Sequence, residues 1–539
     1  MTGAILNFVF GQRLHRETSR YLNGLTSSRT RASDAAARRL LDDLDAAPGQ
    51  KISLGTTGAG GIVSVPSREI AKAHGIVTGG SGSGKTRFGL LLLQSFVNSD
   101  PQTAGGFGVL DAKGELFQGA LALLGERLTE LDQTDPDAAR DLRNRIVVID
   151  FASRNLLSPY NILVRPKGTD PDFFAGSRAD LLLDLLASDE AISLSASSLL
   201  RRIILLLSEF DLPITWAGDL IHDADLRGQL LSQSQQQEVA AYFRQQFPDL
   251  PKQTLGALVR RLEALCSSES VRLALAGTGA PDFRAYQDEG RIVLVNCFGE
   301  GINRSVRRLL QGLVLSDITQ AVFARKRKEE PFLWFCDEAQ TFFGTPQLRD
   351  HMTDLLTMAR SFGSFFAFFT QNLSTAVHDP KMRSILNTNV RWSFSMRGEP
   401  SDCEFLRPAL PVTGTKFQPN IDPFQEPRRY SLNEERSLEH EGLAHLPDRT
   451  GFLWLRTRSG EALKIKTATC PLPDGDALEA MTQSVRSDPT VGERIAREEH
   501  DRVIEERDRK WRATAPAVER APAEFDLAAQ YERRRGSLS

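Results

Sequence analysis

Short, continuous apolar runs recur along the chain, each closed by polar or turn-forming residues. They are GIVT at 75–78, FGVLD at 107–111, RIVVID at 145–150, RIVLVN at 291–296, FLWFCD at 332–337, FFAFFT at 365–370 and RWSFSM at 391–396. Each is too short for a helix and apolar at successive positions, the pattern of a strand covered on both faces. Between them lie longer segments, such as 305–328, whose apolar residues return every three or four positions, the period of an amphipathic helix. The alternation predicts a doubly wound α/β core around a parallel sheet. One stretch breaks it: from 170 to 286 the text is helix after helix, as in SRADLLLDLLA, SASSLLRRIILLLSEF, QEVAAYFRQQF and LGALVRRLEALC. The expected organisation is a helical extension over 1–50 and a first core part over 51–169, opening with a short antiparallel pair, ISLG and GGIVSVP. An all-helical insertion over 170–286, a second core part over 287–474 and a charged C-terminal helix and tail over 475–539 follow. Glu493–Arg497, Glu498–Arg502 and Glu505–Arg509 at i,i+4 suggest that this last helix is exposed.

The first apolar run leads into Gly79, Gly80, Ser81, Gly82, Ser83, Gly84, Lys85 and Thr86, which fit the phosphate-loop pattern G-x-x-x-x-G-K-T. A strand ends, a glycine-rich loop turns back, and a helix opens with RFGLLLLQSF, so backbone N–H groups and a helix N-terminus converge on one anion site. Lys85 is placed to reach the β- and γ-phosphates and the Thr86 hydroxyl to hold Mg2+. FLWFCDEAQ supplies the other half of such a site. Its strand delivers Asp337 to the carboxyl edge of the sheet as a Mg2+ holder, and Glu338 follows as general base. The plainer reading of the pair is a helix cap and a first-turn acid. Gln371, at the exit of FFAFFT, is expected beside the γ-phosphate as a sensor, with Asp337 and the phosphate loop on adjacent strands. Arg360 and Arg391 are candidates for an arginine supplied to a neighbouring subunit, worth roughly 10³–10⁵ in rate where it operates. In LDAKGELF at 110–117, Asp111, Lys113 and Glu115 either border the Mg2+ shell or cap the next helix.

Composition narrows the setting. With 66 basic and 69 acidic side chains the net charge is −3, so a nucleic-acid surface has to be local. Five scattered cysteines without C-x-x-C spacing argue against a zinc site or a disulfide framework and fit a reducing compartment. No run approaches the about 20 apolar residues of a spanning helix. A cytoplasmic protein is expected, with a peripheral inner-membrane contact through Ile5–Phe10 as the alternative.

GGSGSGKT, LDAKGEL, SPYNIL at 158–163, FCDEAQ and ARSFG followed by TQNLS, together with the helical insertion, resemble the type IV secretion coupling proteins of the TraG/TraD kind. These belong to the HerA/FtsK branch of P-loop motor ATPases. The resemblance spans roughly 52–467 and implies a RecA-like ATPase core using ATP and Mg2+. Lys85 and Thr86 would hold nucleotide and metal, Asp337 and Glu338 would run hydrolysis, Gln371 would sense the γ-phosphate, and Arg360 becomes the preferred arginine finger. It further implies a homo-hexamer threading DNA without sequence preference, with a secretion channel and relaxosome as partners. Two departures are that SPYNIL has Ile162 where the family commonly has proline, and that the N-terminal membrane helices usual in coupling proteins are not found. The expected function is an ATP-driven DNA translocase of conjugative transfer. The alternative is a soluble HerA-like ring, the motor or platform for an effector nuclease in DNA processing or antiviral defence. A nucleotide-switched binding module fits less well, because a switch has no need of the Asp337–Glu338 pair.

Overall fold

The computed structural model describes residues 37–512 except 100–104, 167–168, 187–192, 345, 372, 378, 413–415, 417, 419–427, 471 and 473–474. Ile5–Phe10 and the tail ending RRRGSLS lie outside the described residues. In chain order the strands are β1 (Lys51–Thr57), β2 (Ile62–Pro66), β3 (His74–Thr78), β4 (Gly106–Asp111), β5 (Ile146–Asp150), β6 (Leu156–Leu157) and β7 (Ile292–Asn296). β8 (Phe332–Cys336), β9 (Ser364–Thr370), β10 (Val390–Met396), β11 (Thr450–Leu455), β12 (Leu463–Thr467) and β13 (Ile495–Ala496) complete them. Eleven of these make one sheet in the order β2-β1-β12-β11-β10-β3-β9-β8-β4-β7-β5. From β10 to β5 all seven strands are parallel, and they are the seven apolar runs of the sequence. β11, β12, β1 and β2 extend the sheet antiparallel.

The apolar runs work because successive residues feed two different cores. Along β8, Phe332, Trp334 and Cys336 enter one core with Phe366 and Phe368 of β9, while Leu333 and Phe335 enter the other with Phe365, Ala367 and Phe369. The helices Lys85–Val97 and Glu115–Thr134 cover the second face, and Arg304–Phe323, Pro346–Met358 and the helices after β6 cover the first. This is a doubly wound α/β core, as expected from the sequence. β11 and β12 were not among the expected strands. β12 reads Leu-Lys-Ile-Lys-Thr with both lysines exposed, a half-buried strand whose alternation lacks the continuous apolar signal of its parallel neighbours.

Between Pro171 and Asp288 the described residues form α-helices and 3-10 turns and no strand. The SPYNIL segment fastens this block to the core. Tyr160 Oη donates to Asp317 Oδ2 at 2.6 Å, Arg178 donates to Asp317 Oδ1 at 2.6 Å, and Ser158 Oγ donates to the Val148 carbonyl at 2.5 Å. Burial, then the nearby Asp317 charge, pushes the Tyr160 hydroxyl well above its ordinary pKa and keeps it a neutral donor. The C-terminal helix Arg497–Arg512 departs from the exposed reading. It buries His500 and Trp511, sets Trp511 edge-on to Phe210 with ring centroids 5.0 Å apart, and β13 ahead of it pairs with β6. Glu493 lies before the helix and bonds Arg291, and the i,i+4 ion pair is Arg497–Asp501. Trp511, inside a run of charges, is the sequence signal for docking. No helix among the described residues is long and apolar enough to cross a membrane.

Gly108 of β4 lies beneath the Trp334 ring, and a Cβ there would come within 2.2 Å of Trp334 Cε3. Gly108→Ala should therefore force the indole or the β4–β8 ladder to shift and cost about 1–3 kcal/mol of stability. Thermal unfolding of the variant against wild type checks this, and an unchanged midpoint overturns it.

Candidate active site

The phosphate loop occupies the carboxyl end of β3, and its shape comes from its glycines: Gly82 and Gly84 have φ of 72° and 108°, the left-handed region that side chains disfavour. The helix Lys85–Val97 starts on Gly84 with no side-chain cap, so its first N–H groups remain available to an anion. A Cβ on Gly79 would fall 2.7 Å from Ser83 Oγ, and that hydroxyl is buried without a partner. Lys85, 9 % exposed, turns its ammonium onto the Gly79 and Gly80 carbonyls at 2.7 and 3.0 Å. Burial, and then repulsion from Lys113, holds Lys85 below the ordinary lysine pKa, against the pull of Asp337, Glu338 and Glu115. An orphaned hydroxyl, an uncapped helix start and an underpaired cation in one loop fit a polyphosphate.

Asp337 and Glu338 leave the carboxyl end of β8. The expectation that β3 and β8 are adjacent is corrected: β9 runs between them. A parallel sheet needs crossovers, and the chain returns from the helix Pro346–Met358 to fill the central position. The exchange suits Gln371, which leaves β9 midway between the two halves and donates its Nε2 to Glu338 Oε1 at 2.9 Å. Glu338 adopts a left-handed φ of 52°, a conformation costing roughly 1–3 kcal/mol for a residue with a side chain and concentrated at functional sites. Asp337 N donates to the Leu110 carbonyl at 3.0 Å and Ala339 N to the Phe369 carbonyl at 2.9 Å, so both neighbouring strands hold the turn. Burial, then the charges of Asp111 and Glu338, pushes the Asp337 carboxyl up to about 7.

The two readings of LDAKGELF divide between its residues. Asp111 is fully buried and caps the next helix, accepting from Lys113 N at 2.7 Å and Phe117 N at 2.8 Å. Glu115 faces the site and accepts from Thr86 Oγ1 at 3.1 Å, and the Lys113 ammonium pairs with Glu338. Burial opposes the Lys113 charge, but the bond to Glu338 and the charges of Glu338, Asp337 and Glu115 outweigh it and raise its pKa. Among the described residues no three His, Cys, Asp or Glu side chains cluster as a metal cage. Mg2+ at nucleotide sites takes one or two protein ligands and completes its octahedron with phosphate oxygens and water, and the Thr86 hydroxyl and Asp337 carboxylate would fit as such a donor set.

Three neighbours of the site were not anticipated. Gln340 bridges, donating to Glu338 Oε2 and accepting from Thr370 Oγ1 at 2.9 Å. Arg397, past the end of β10, accepts from Gly80 N through its carbonyl at 2.6 Å, and Arg449 N donates to the Ser83 carbonyl at 2.9 Å. FCDEAQ contained the first in plain sight, whereas the arginines come from distant segments that only the sheet order brings near. Arg360 and Arg391 are not part of this constellation. Arg360 is exposed in a 3-10 turn just before β9, where together with burial its charge lowers the pKa of His74, at the start of β3, to about 4. Arg391 is exposed at the start of β10. Both occupy the amino edge of the parallel strands, roughly 20 Å of strand from the phosphate loop, and so cannot serve the site of their own chain.

A carboxyl pushed up to about 7 must release its proton before it can hold Mg2+, so with Asp337 as a ligand protons and metal would compete there. The Mg2+ concentration needed for half-maximal binding of a fluorescent nucleotide should be flat above pH 8 and rise by up to about tenfold as pH falls from 7 to 6. A requirement unchanged across that range overturns the role of Asp337.

No family model and no curated protein matches the chain. Among solved structures, it is similar to the bacterial conjugative coupling protein TrwB in its trigonal form with sulphate, at 13% identity over 81% of this chain and 94% of that one, TM-score 0.48. It is also similar to TrwB in complex with ADP and Mg2+, at 13% identity over 80% and 98%, TM-score 0.46. VirB4 of Thermoanaerobacter pseudethanolicus is similar at 16% identity over 79% and 98%, TM-score 0.48.

Proposed function

We propose that this protein is an ATP-driven motor that hydrolyses ATP and uses the cycle to move DNA. The observation that carries the hydrolase reading is the meeting of Lys85 and Thr86, from β3, with Asp337 and Glu338, from β8, across Gln371 at one sheet edge. Lys85 neutralises the β- and γ-phosphates, and Thr86 and Asp337 would hold Mg2+, which when bound would withdraw charge from the phosphoryl oxygens. Glu338 takes a proton from the attacking water as a bond forms to the γ-phosphorus. The bond to the β–γ bridging oxygen breaks with its electron pair leaving on ADP, and inorganic phosphate departs. Gln371, bonded to the base, reports whether the γ-phosphate is present.

DNA as the cargo is supported by the order of the motifs, which resembles that of coupling proteins. The same resemblance supports a homo-hexamer with relaxosome and secretion channel as partners. DNA of any sequence should raise the ATPase rate at low salt, and the effect should fall steeply with added salt as counterion release loses its advantage. Glu338→Gln should bind nucleotide and not turn it over. Equal rates with and without single- or double-stranded DNA transfer the reading to the HerA-like platform of an effector enzyme.

Because Arg360 lies at the amino edge, a role in hydrolysis has to be in trans, and activity per subunit should rise with protein concentration. Arg360→Ala and Lys85→Ala should each be inactive alone, yet a mixture should recover hydrolysis where an intact Lys85 site meets an intact Arg360. No recovery at any ratio, with co-assembly shown, moves the assignment to Arg391.

A further inference from the structure

Three side chains converge on the carboxylate that hydrolysis requires. Glu338 Oε1 accepts from Gln371 Nε2 at 2.9 Å and pairs with the Lys113 ammonium, while Oε2 accepts from Gln340 Nε2. Of the three, Lys113 alone brings a full charge. It sits in the turn after β4, and β4 is hydrogen-bonded to β8 with Leu110 opposite Cys336, so the register sets residue 113 beside residue 338. Helix capping does not account for its side chain, since Asp111 caps through the backbone N–H of Lys113 and Phe117. Nor is the pair an open-surface contact: the Glu338 side chain is 16% exposed and that of Lys113 38%.

A general base has to offer a lone pair to water. A cation seated on a carboxylate occupies the approach that the water would need. We propose that Lys113 is a positioning residue that still holds Glu338 idle when a triphosphate first binds, so that each turnover waits for a later step in which the γ-phosphate draws the ammonium away and frees the base. The inference rests on the nucleotide reading given above. Two other contacts have the same character. Lys85 rests on the carbonyls of its own loop and Thr86 on Glu115, each bonded to a protein group where polyphosphate and Mg2+ would be the stronger partner. Lys113 and Lys85 are close enough to repel one another, so an anion that attracts the second acts on the first.

The test uses the full chain without DNA, measuring kcat and KM for ATP at saturating Mg2+ and, separately, the Kd of a fluorescent non-hydrolysable ATP analogue. Lys113→Met and Lys113→Gln should raise kcat by about two- to fivefold, the range expected for a partly exposed ion pair, with the analogue Kd changed less than about twofold. Lys113→Arg, which keeps the charge, should return the rate toward wild type. A kcat at or below wild type in both neutral variants, with analogue binding intact, overturns the lock and leaves the nucleotide reading standing. Absence of analogue binding by the wild-type chain overturns both. Lys85→Ala and Glu338→Gln, inactive in either case, exclude a contaminating ATPase.

Discussion

Charge gathered at one edge of an otherwise apolar sheet is the constraint on which the rest of this structure depends. β4 and β8 are buried along their whole length, yet end in Asp111 and Asp337, carboxyls with almost no access to water. Such groups persist only if hydrogen bonds or counter-charges meet them. Asp111 is met by backbone N–H groups of the turn it caps, whereas at Asp337 burial and the charges of Asp111 and Glu338 outweigh the nearby Lys113 and leave its proton affinity high. The cluster is therefore only partly compensated, and what it lacks, a dication and a polyanion together, is what the site is proposed to bind. A fold that satisfied these carboxyls internally would be more stable and less able to act.

The parts legible in the sequence are those whose signal is local. A strand buried on both faces must be apolar at every position, so the seven parallel strands announce themselves, and a phosphate loop needs glycine where φ is positive, so Gly82 and Gly84 mark it. β12 escaped because a half-exposed hairpin strand alternates, and Lys464 and Lys466 dilute the signal, whereas β11 carries a continuous apolar run, GFLWL, that was legible and was not among the expected strands. The order of strands was out of reach for a different reason. Nothing local distinguishes β3 beside β8 from β3 beside β9, since each run is equally apolar, and the choice is made by crossovers and helix packing. That one exchange decides what Gln371 touches. The Lys113–Glu338 pair was hidden for the same reason: two side chains distant in sequence meet only through the β4–β8 register.

Around this edge the structure separates rigidity from response. Below it, aromatic rings lock the strands: Phe335 lies edge-on to Phe96 and Phe107 at 5.8 and 6.3 Å, and Trp334 packs over Gly108 of β4. Above it, the contacts of Lys85, Thr86, Lys113 and Glu338 are side-chain bonds in turns, which can be exchanged without disturbing a ladder. Burial fixes where the groups are, and electrostatics decides which partner each one holds.

Sheet polarity also constrains assembly under the motor reading. All seven parallel strands point the same way, so each copy carries the phosphate loop at one edge and Arg360 and Arg391 at the other. For an arginine of one copy to meet the phosphates of the next, unlike edges must touch. A two-fold dimer cannot provide that contact for both sites unless one self-complementary patch spans both edges, so that each copy's arginine meets the other's phosphate loop. Head-to-tail contact can, and repeated with a closing rotation it makes a ring in which every site is identical and every arginine is used. Under the motor reading, the placement of two arginines on a polar sheet thus demands contact between unlike edges, whatever the number of copies that supply it.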